Sequence, residues 1–400
     1  MNEWKEIAFS EIIELIGGGT PRTSVSEYWE GNIPWLSVAD FNTGRKYVFD
    51  TEKKITELGL LNSSTNLLKK GDIIISARGT VGVVAVLGKE MTFNQSCYGI
   101  RAQTNKSTNE YVYYLLKNTI SNFTQIAHGG VFDTITRDSF KEIEILLPPL
   151  PEQKSIASIL SSLDDKIDLL HRQNATLEAM AETLFRQWFV EEAKEEWEDT
   201  TLDKHTEAFR GLSYKGSGLA DYGVGLPMHN LNSVYEGGGY KYEGVKYYTG
   251  DYKERHLISP GDIIVTNTEQ GHDLRLIGFP AIVPDTFGNK GLFSQHIYRL
   301  LPIKNSYLST EFIYYLLMTP VVREQVTAAT NGSTVNMLAI DGLQRPKFKL
   351  PPKETVIEFT AIAANYRKKK NINHKQIQTL TKLRDTLLPK LMSAEVRVKV

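Results

Sequence analysis

Arg22, Arg78, Asn94 and Gln95 in the first half of this 400-residue chain, and Lys215, Asn267, Gln270, Arg275 and Gln295 in the second, stand at matching places. Their hydroxyl-bearing and aromatic neighbours at those places are Thr20, Thr80 and Ser96 in the first half, and Tyr214, Thr268, His272 and Ser294 in the second. Arg and Lys pair with guanine, and Asn and Gln with adenine, through two hydrogen bonds each in the major groove of duplex DNA. Two β-type runs, at 73–75 and 263–265, both end by emitting polar residues. These are Ser76-Ala77-Arg78-Gly79-Thr80 and Thr266-Asn267-Thr268-Glu269-Gln270. A solvated loop is the competing reading of each residue taken singly.

Other chemistries find little support. Gly17-Gly18-Gly19-Thr20-Pro21-Arg22 lacks the Gly-Lys-Ser/Thr ending with which a phosphate loop holds phosphate and magnesium. Its counterpart, Arg210-Gly211-Leu212-Ser213-Tyr214-Lys215, keeps one glycine, so both read as loops whose cation and hydroxyls suit a DNA backbone, or as plain surface turns. No His-Glu-x-x-His, paired-cysteine or Gly-x-Ser-x-Gly pattern occurs, nor an Asn/Asp-Pro-Pro-aromatic sequence. His128, His229, His272 and His296 read as polar loop residues. No catalytic, cofactor-binding or metal-binding residue is assigned. The single Cys97 excludes an internal disulfide.

The elements that hold the two polar sets are themselves repeated. Trp4 answers Trp197, Gly18 answers Gly211, and Pro34 answers Pro227. Lys70-Gly71-Asp72-Ile73-Ile74 answers Pro260-Gly261-Asp262-Ile263-Ile264, and Leu147-Pro148-Pro149 answers Leu350-Pro351-Pro352. Each copy is expected to be an α+β block of short strands and many loops, with one amphipathic helix at 109–118 or 310–319. The block boundaries are drawn at 1–150 and 195–350, with long helices over 151–194 and 351–400.

In the first long helix Leu160, Leu163, Ile167, Leu170, Asn174, Leu177, Ala181, Leu184 and Trp188 alternate at spacings of three and four, the pattern of a coiled-coil seam. Asn174 is its one polar member, suited to fixing register. In the second, Ile377, Leu380 and Leu387 belong to a similar stripe, and Pro389 should kink or end the helix. Residues 151–200 hold five basic and twelve acidic residues, and 351–400 hold eleven and four. The opposite signs point to two unlike helices lying against each other, and each following its own globular block suggests that the pair is antiparallel. Two pseudo-symmetric globular domains separated by two such helices are the expected architecture. No run approaches the roughly 18–20 apolar residues that span a bilayer, and no signal peptide precedes Trp4, so a cytoplasmic protein is expected.

In this order, and twice over, the pieces resemble the specificity subunits of type I restriction–modification systems. The resemblance rests on the Gly18-Gly19-Thr20-Pro21 block, the Gly71-Asp72-Ile73-Ile74 strand and Leu147-Pro148-Pro149-Leu150-Pro151-Glu152-Gln153, and on Phe185-Arg186-Gln187-Trp188-Phe189 closing the central helix. Lys353-Glu354 departs from the Leu-Pro-Glu-Gln continuation in the second copy. The resemblance implies two target-recognition domains that read a bipartite, asymmetric site in double-stranded DNA, and helices that set its spacer. It implies a non-catalytic chain that recruits two methyltransferase subunits, which use S-adenosylmethionine on adenine, and restriction subunits that use ATP and magnesium. Two modules on one face of B-DNA sit about one turn, roughly 34 Å, apart. A self-contained endonuclease or methyltransferase, or a coiled-coil scaffold that ignores DNA, are the alternatives.

Overall fold

The computed structural model describes residues 4–128, 134–270, 273–332 and 335–398. The chain divides into two compact units. Unit 1 is residues 1–171 with 376–400, and unit 2 is residues 172–375. Both long helices therefore contribute a segment to each unit.

In unit 1 the strands Ile13–Gly17, Cys97–Ala102, Ile73–Ser76, Val84–Leu87 and Tyr47–Val48 form a five-stranded sheet in that order, antiparallel except for the last pair. Ile73, Ile74 and Ile75 are fully buried, so this central strand packs on both faces, as its unbroken apolar run implies. The helix Asn109–His128 lays Tyr111, Val112, Tyr114 and Leu116 into the core. It runs ten residues past the expected end at 118, because nothing at Asn118 caps or breaks it. Beside the sheet, Trp29–Leu36 pairs in parallel with Thr92–Phe93.

Unit 2 repeats this frame. Thr206–Arg210, Ile297–Pro302, Ile263–Thr266 and Pro280–Ile282 form an antiparallel sheet, and Leu226–His229 pairs in parallel with Gly291–Phe293. One ion pair is built in both copies. Asp72 binds Arg101 across neighbouring strands at 2.5 Å, and Asp262 binds Arg299 at 2.8 Å. The same carboxylates accept the backbone N–H of Lys69 and of Ser259, closing the turn that enters each strand. That is why Gly-Asp precedes both apolar runs. The helix expected at 310–319 is Thr310–Met318, followed by a second helix Pro320–Ala328; the proline forces Thr319 into extended backbone between them.

The long helices are Leu150–Arg186 and Lys353–Met392, and the first closes in a π-turn at Gln187–Glu191. At about 1.5 Å per residue the first is roughly 55 Å long. Pro389 does not stop the second: it sits in the last turn, where only one internal hydrogen bond is lost, and the helix runs on to Met392. Within each unit the two helix segments are antiparallel. In unit 1, Asp164 meets Arg384 at 2.6 Å, and Ile167 and Leu170 pack with Ile377 and Leu380. In unit 2, Asn373 donates to Asn174 at 2.9 Å, and Lys370 binds Glu178. Each acid lies on the first helix and each base on the second, as the opposite charges suggest.

The seam expected from apolar spacing is displaced. Leu163, Leu177, Leu184 and Trp188 are only half-buried. Leu160 and Leu387 turn to the core of unit 1, while Ala181, Phe185 and Phe189 enter that of unit 2. Asp164 is buried beside the expected Leu163. The helices thus pack on their domains as well as on each other, and polar pairs occupy what a simple coiled coil fills with leucine. Among the described residues no helix is long and apolar enough to cross a membrane.

Candidate nucleic-acid interface

In each unit one end of the main sheet gathers three loops. In unit 1, Gly17 pairs with Tyr98 and Ser76 with Cys97, so the strand ends deliver Gly18–Arg22, Ala77–Thr80 and Asn94–Ser96 to one edge. In unit 2, Arg210 pairs with Tyr298 and Thr266 with Ile297, which brings together the stretches around 211–215, 267–270 and 294–296.

Both tips are drawn tight by the same device. A Cβ on Gly18 would lie 2.1 Å from the carbonyl oxygen of Asn94, and one on Gly211 would lie 2.1 Å from that of Ser294. Only glycine lets the two loops touch. Gly19 then donates its N–H to Phe93 at 2.9 Å, and Leu212 donates to Phe293 at 2.7 Å.

What the tips display differs. In unit 1, Arg22, Arg78, Thr80 and Gln95 are exposed. Thr20 donates its hydroxyl to Gln95 Oε1, Asn94 Oδ1 accepts the N–H of Ser96 at 3.1 Å, and half-buried Ser96 accepts the N–H of Arg78 at 3.2 Å. In unit 2, Lys215, Gln270, Arg275 and Gln295 are exposed. Half-buried Tyr214 accepts from Lys246 Nζ at 3.3 Å. Arg275 lies 3.6 Å from Asp273.

Three candidates turn inward. Ser294 is fully buried, and Asn267 and Thr268 nearly so. Asn267 donates to the carbonyl of Gln295 at 3.0 Å and accepts from the Thr268 hydroxyl at 2.8 Å, so its hydrogen bonds brace the tip. Thr268–Gln270 is a strand paired with Val335–Leu338, where a free loop was expected; Thr268 and Glu269 are buried in it and Gln270, at its end, is exposed. His272 lies outside the described residues.

Two residues of the tip escape a reading by base-pairing chemistry. Glu269, buried, accepts the backbone N–H groups of Arg275, Leu276 and Ile277 at 2.9, 2.9 and 2.8 Å, and so sets the segment that carries Arg275. Its replacement by Ala strands three amides and is expected to lower stability by about 3 kcal/mol, as a urea melt would register. His229 supports the tip from below: its carbonyl accepts the N–H of Ser294 at 2.9 Å, and its Nδ1 lies 2.6 Å from Tyr240 Oη. Burial drives its pKa down to about 3. The folded state therefore binds fewer protons than the unfolded one below the ordinary value near 6.5. The contribution is complete above that value and is lost as pH falls toward 3. Melting temperature measured from pH 7 to pH 4 should fall less in His229→Gln than in the wild type; parallel curves would refute this.

The frame is thus built twice, and its two tips carry cations and amide groups of different kinds. The family model described as "Type I restriction modification DNA specificity domain" matches residues 1–179 and again 194–383, and the chain belongs to that family. It is thus a DNA specificity subunit of the type I restriction–modification kind. It is 28% identical to the type I restriction enzyme MjaIX specificity subunit of Methanocaldococcus jannaschii, over 99% of this chain and 94% of that one. It is 32% identical to the EcoR124I/EcoR124II specificity subunit of Escherichia coli over 40% of this chain and 41% of that one. In fold it is similar to the type I restriction–modification S subunit from M. genitalium, with a TM-score of 0.59 at 17% identity, covering 97% of this chain and 96% of that one.

Proposed function

We propose that the chain reads a bipartite, asymmetric sequence in double-stranded DNA, one half with the tip of residues 1–150 and the other with the tip of 195–350. The observation that carries this reading is the repeated glycine contact, Gly18 on Asn94 and Gly211 on Ser294, beneath unlike displayed side chains. It performs no catalysis itself. It docks two methyltransferase subunits, which bind S-adenosylmethionine and methylate adenine, and restriction subunits that use ATP and magnesium.

Co-expression with the cognate methyltransferase, followed by mapping of methyladenine across the host genome, tests the proposal. One split motif is expected, and exchanging residues 1–150 should change one half of it only. A continuous motif would refute the reading. In the assembled complex, Arg22→Gln and Lys215→Gln should each flatten the dependence of log affinity on log salt by about 0.9 if each contacts one phosphate. An unchanged slope in both would remove them from the interface.

A further inference from the structure

A segment late in each block docks on the tip, and the same hydrogen bond holds it in both copies. Ile135 donates its N–H to the carbonyl of Ala77 at 2.9 Å, and Leu338 donates to that of Asn267 at 2.9 Å. Ile135 and Leu338 are buried, so a slip of one residue would expose them and the register is fixed. On its other edge the tip is also held alike. Ala77 donates its N–H to the carbonyl of Ser96 at 2.8 Å, and Asn267 donates to that of His296 at 3.1 Å. One residue further out, this register sets Arg78 opposite Thr134 in unit 1 and Thr268 opposite Met337 in unit 2.

The two copies fill this one position in opposite ways. In unit 1 the long side chain stands on the tip: Arg78 is exposed and Thr134 is half-buried. In unit 2 it stands on the late strand: Thr268 is buried and Met337 is 59% exposed. Residues that face each other across antiparallel strands share a face. Each unit therefore offers one long side chain beside one threonine. Met337 is not an isolated surface residue. Val335, two residues before it, lies on the same face and is 38% exposed. Gln270 stands opposite Val335 and Asn331 opposite Met337, and both are exposed. An apolar pair rimmed by amides marks an interaction site rather than a solvated strand, and Gln270 makes it continuous with the tip.

In the major groove the apolar feature of a base edge is the C5-methyl group of thymine, and guanine is the base that takes two hydrogen bonds from one guanidinium. We propose that this cross-strand position is where each unit selects a base. Arg78 takes guanine in one half-site, and Met337, with Val335, takes the methyl group of thymine in the other. This assignment rests on the function proposed above and names the position that reads within it. The long side chain differs between the copies in both chemistry and strand, while the hydrogen bond beneath it stays the same. One frame thereby reads two bases.

Methyladenine mapping gives the two halves of the motif, and exchange of residues 1–150 tells which half unit 1 reads. That half is expected to contain a guanine, and the half read by unit 2 a thymine. Each thymine of the latter is then replaced in turn by uracil, which lacks only the methyl group, in DNA offered to the complex with the cognate methyltransferase. At one thymine the wild-type complex should bind roughly fourfold more weakly, the worth of one buried methyl group. The Met337→Thr complex should be indifferent to the same change. Arg78→Gln should relax one guanine of the other half and leave the half read by unit 2 intact. Thr268→Arg/Met337→Thr copies the unit 1 pair into unit 2 and should replace that thymine by guanine in the motif. A unit 2 half without thymine, uracil accepted at every thymine by the wild type, or every guanine retained by Arg78→Gln would overturn the assignment, while a split motif would leave the proposed function standing. A continuous motif would overturn both.

Discussion

Arg384→Met is expected to destabilise unit 1 by about 3–5 kcal/mol, the cost of leaving a buried charge without its partner. Asp164 is 2% exposed in its side chain and Arg384 11%, and they meet at 2.6 Å. Two further groups converge there. Tyr114 donates its hydroxyl to the second oxygen of Asp164 at 2.7 Å, and Lys46 approaches the same hydroxyl at 3.3 Å. Burial pulls the pKa of Lys46 below its ordinary value despite the nearby Asp165 and Asp164, so Lys46 is a poor substitute for the missing guanidinium. The double variant Asp164→Leu/Arg384→Met should recover most of the loss, because a buried ion pair is worth little more than apolar side chains of similar volume. A double-mutant cycle by chemical denaturation reads both effects. An Arg384→Met variant within 1 kcal/mol of the wild type would show that water reaches Asp164.

This pair also marks what the sequence could and could not disclose. The duplicated frame was legible because Gly-Asp before an apolar run, and Pro-Pro before a long helix, are local devices that recur in order. That two oppositely charged helices lie together was legible from charge counts, and their antiparallel direction from each one following its own globular block. The phase of their contact was not. Apolar spacing selects Leu163, but burial of Asp164 depends on an arginine 220 residues away. Likewise the role of Asp72 depends on Arg101, 29 residues on, and that of Asp262 on Arg299, 37 residues on. Candidate readers chosen by side-chain type divided along the same line. Arg22, Arg78, Lys215 and Gln270 are displayed, whereas Asn267 and Ser294 are turned inward, Asn267 by its hydrogen bond to the Gln295 carbonyl and Ser294 at the contact with Gly211.

Gly211→Ala should erase one half of the recognised motif and leave the other, and Gly18→Ala should do the reverse. The added methyl group at Gly211 meets backbone on every side: Ser294 O at 2.1 Å, Ser294 C at 2.4 Å and Phe293 O at 2.7 Å. No side chain can rotate away, so the two loops must part by about 1 Å to reach ordinary contact. That breaks the bonds from Leu212 N to Phe293 O and from Gln295 N to Leu212 O, at 2.7 and 2.9 Å. The local cost is about 2–3 kcal/mol, and Gln295 and Lys215 lose their shared footing. At Gly18 the obstacle is Asn94 O at 2.1 Å, and the neighbouring bond from Gly19 to Phe93 goes with it. A misplacement of this size is enough to spoil paired hydrogen bonds to a base, each worth about 1–3 kcal/mol of discrimination. Methyladenine mapping with each variant, in chains that still melt cooperatively, should therefore return motifs degenerate in opposite halves. Degeneracy in the same half for both variants would separate the glycine contacts from base reading, and with them the assignment of one tip to each half-site.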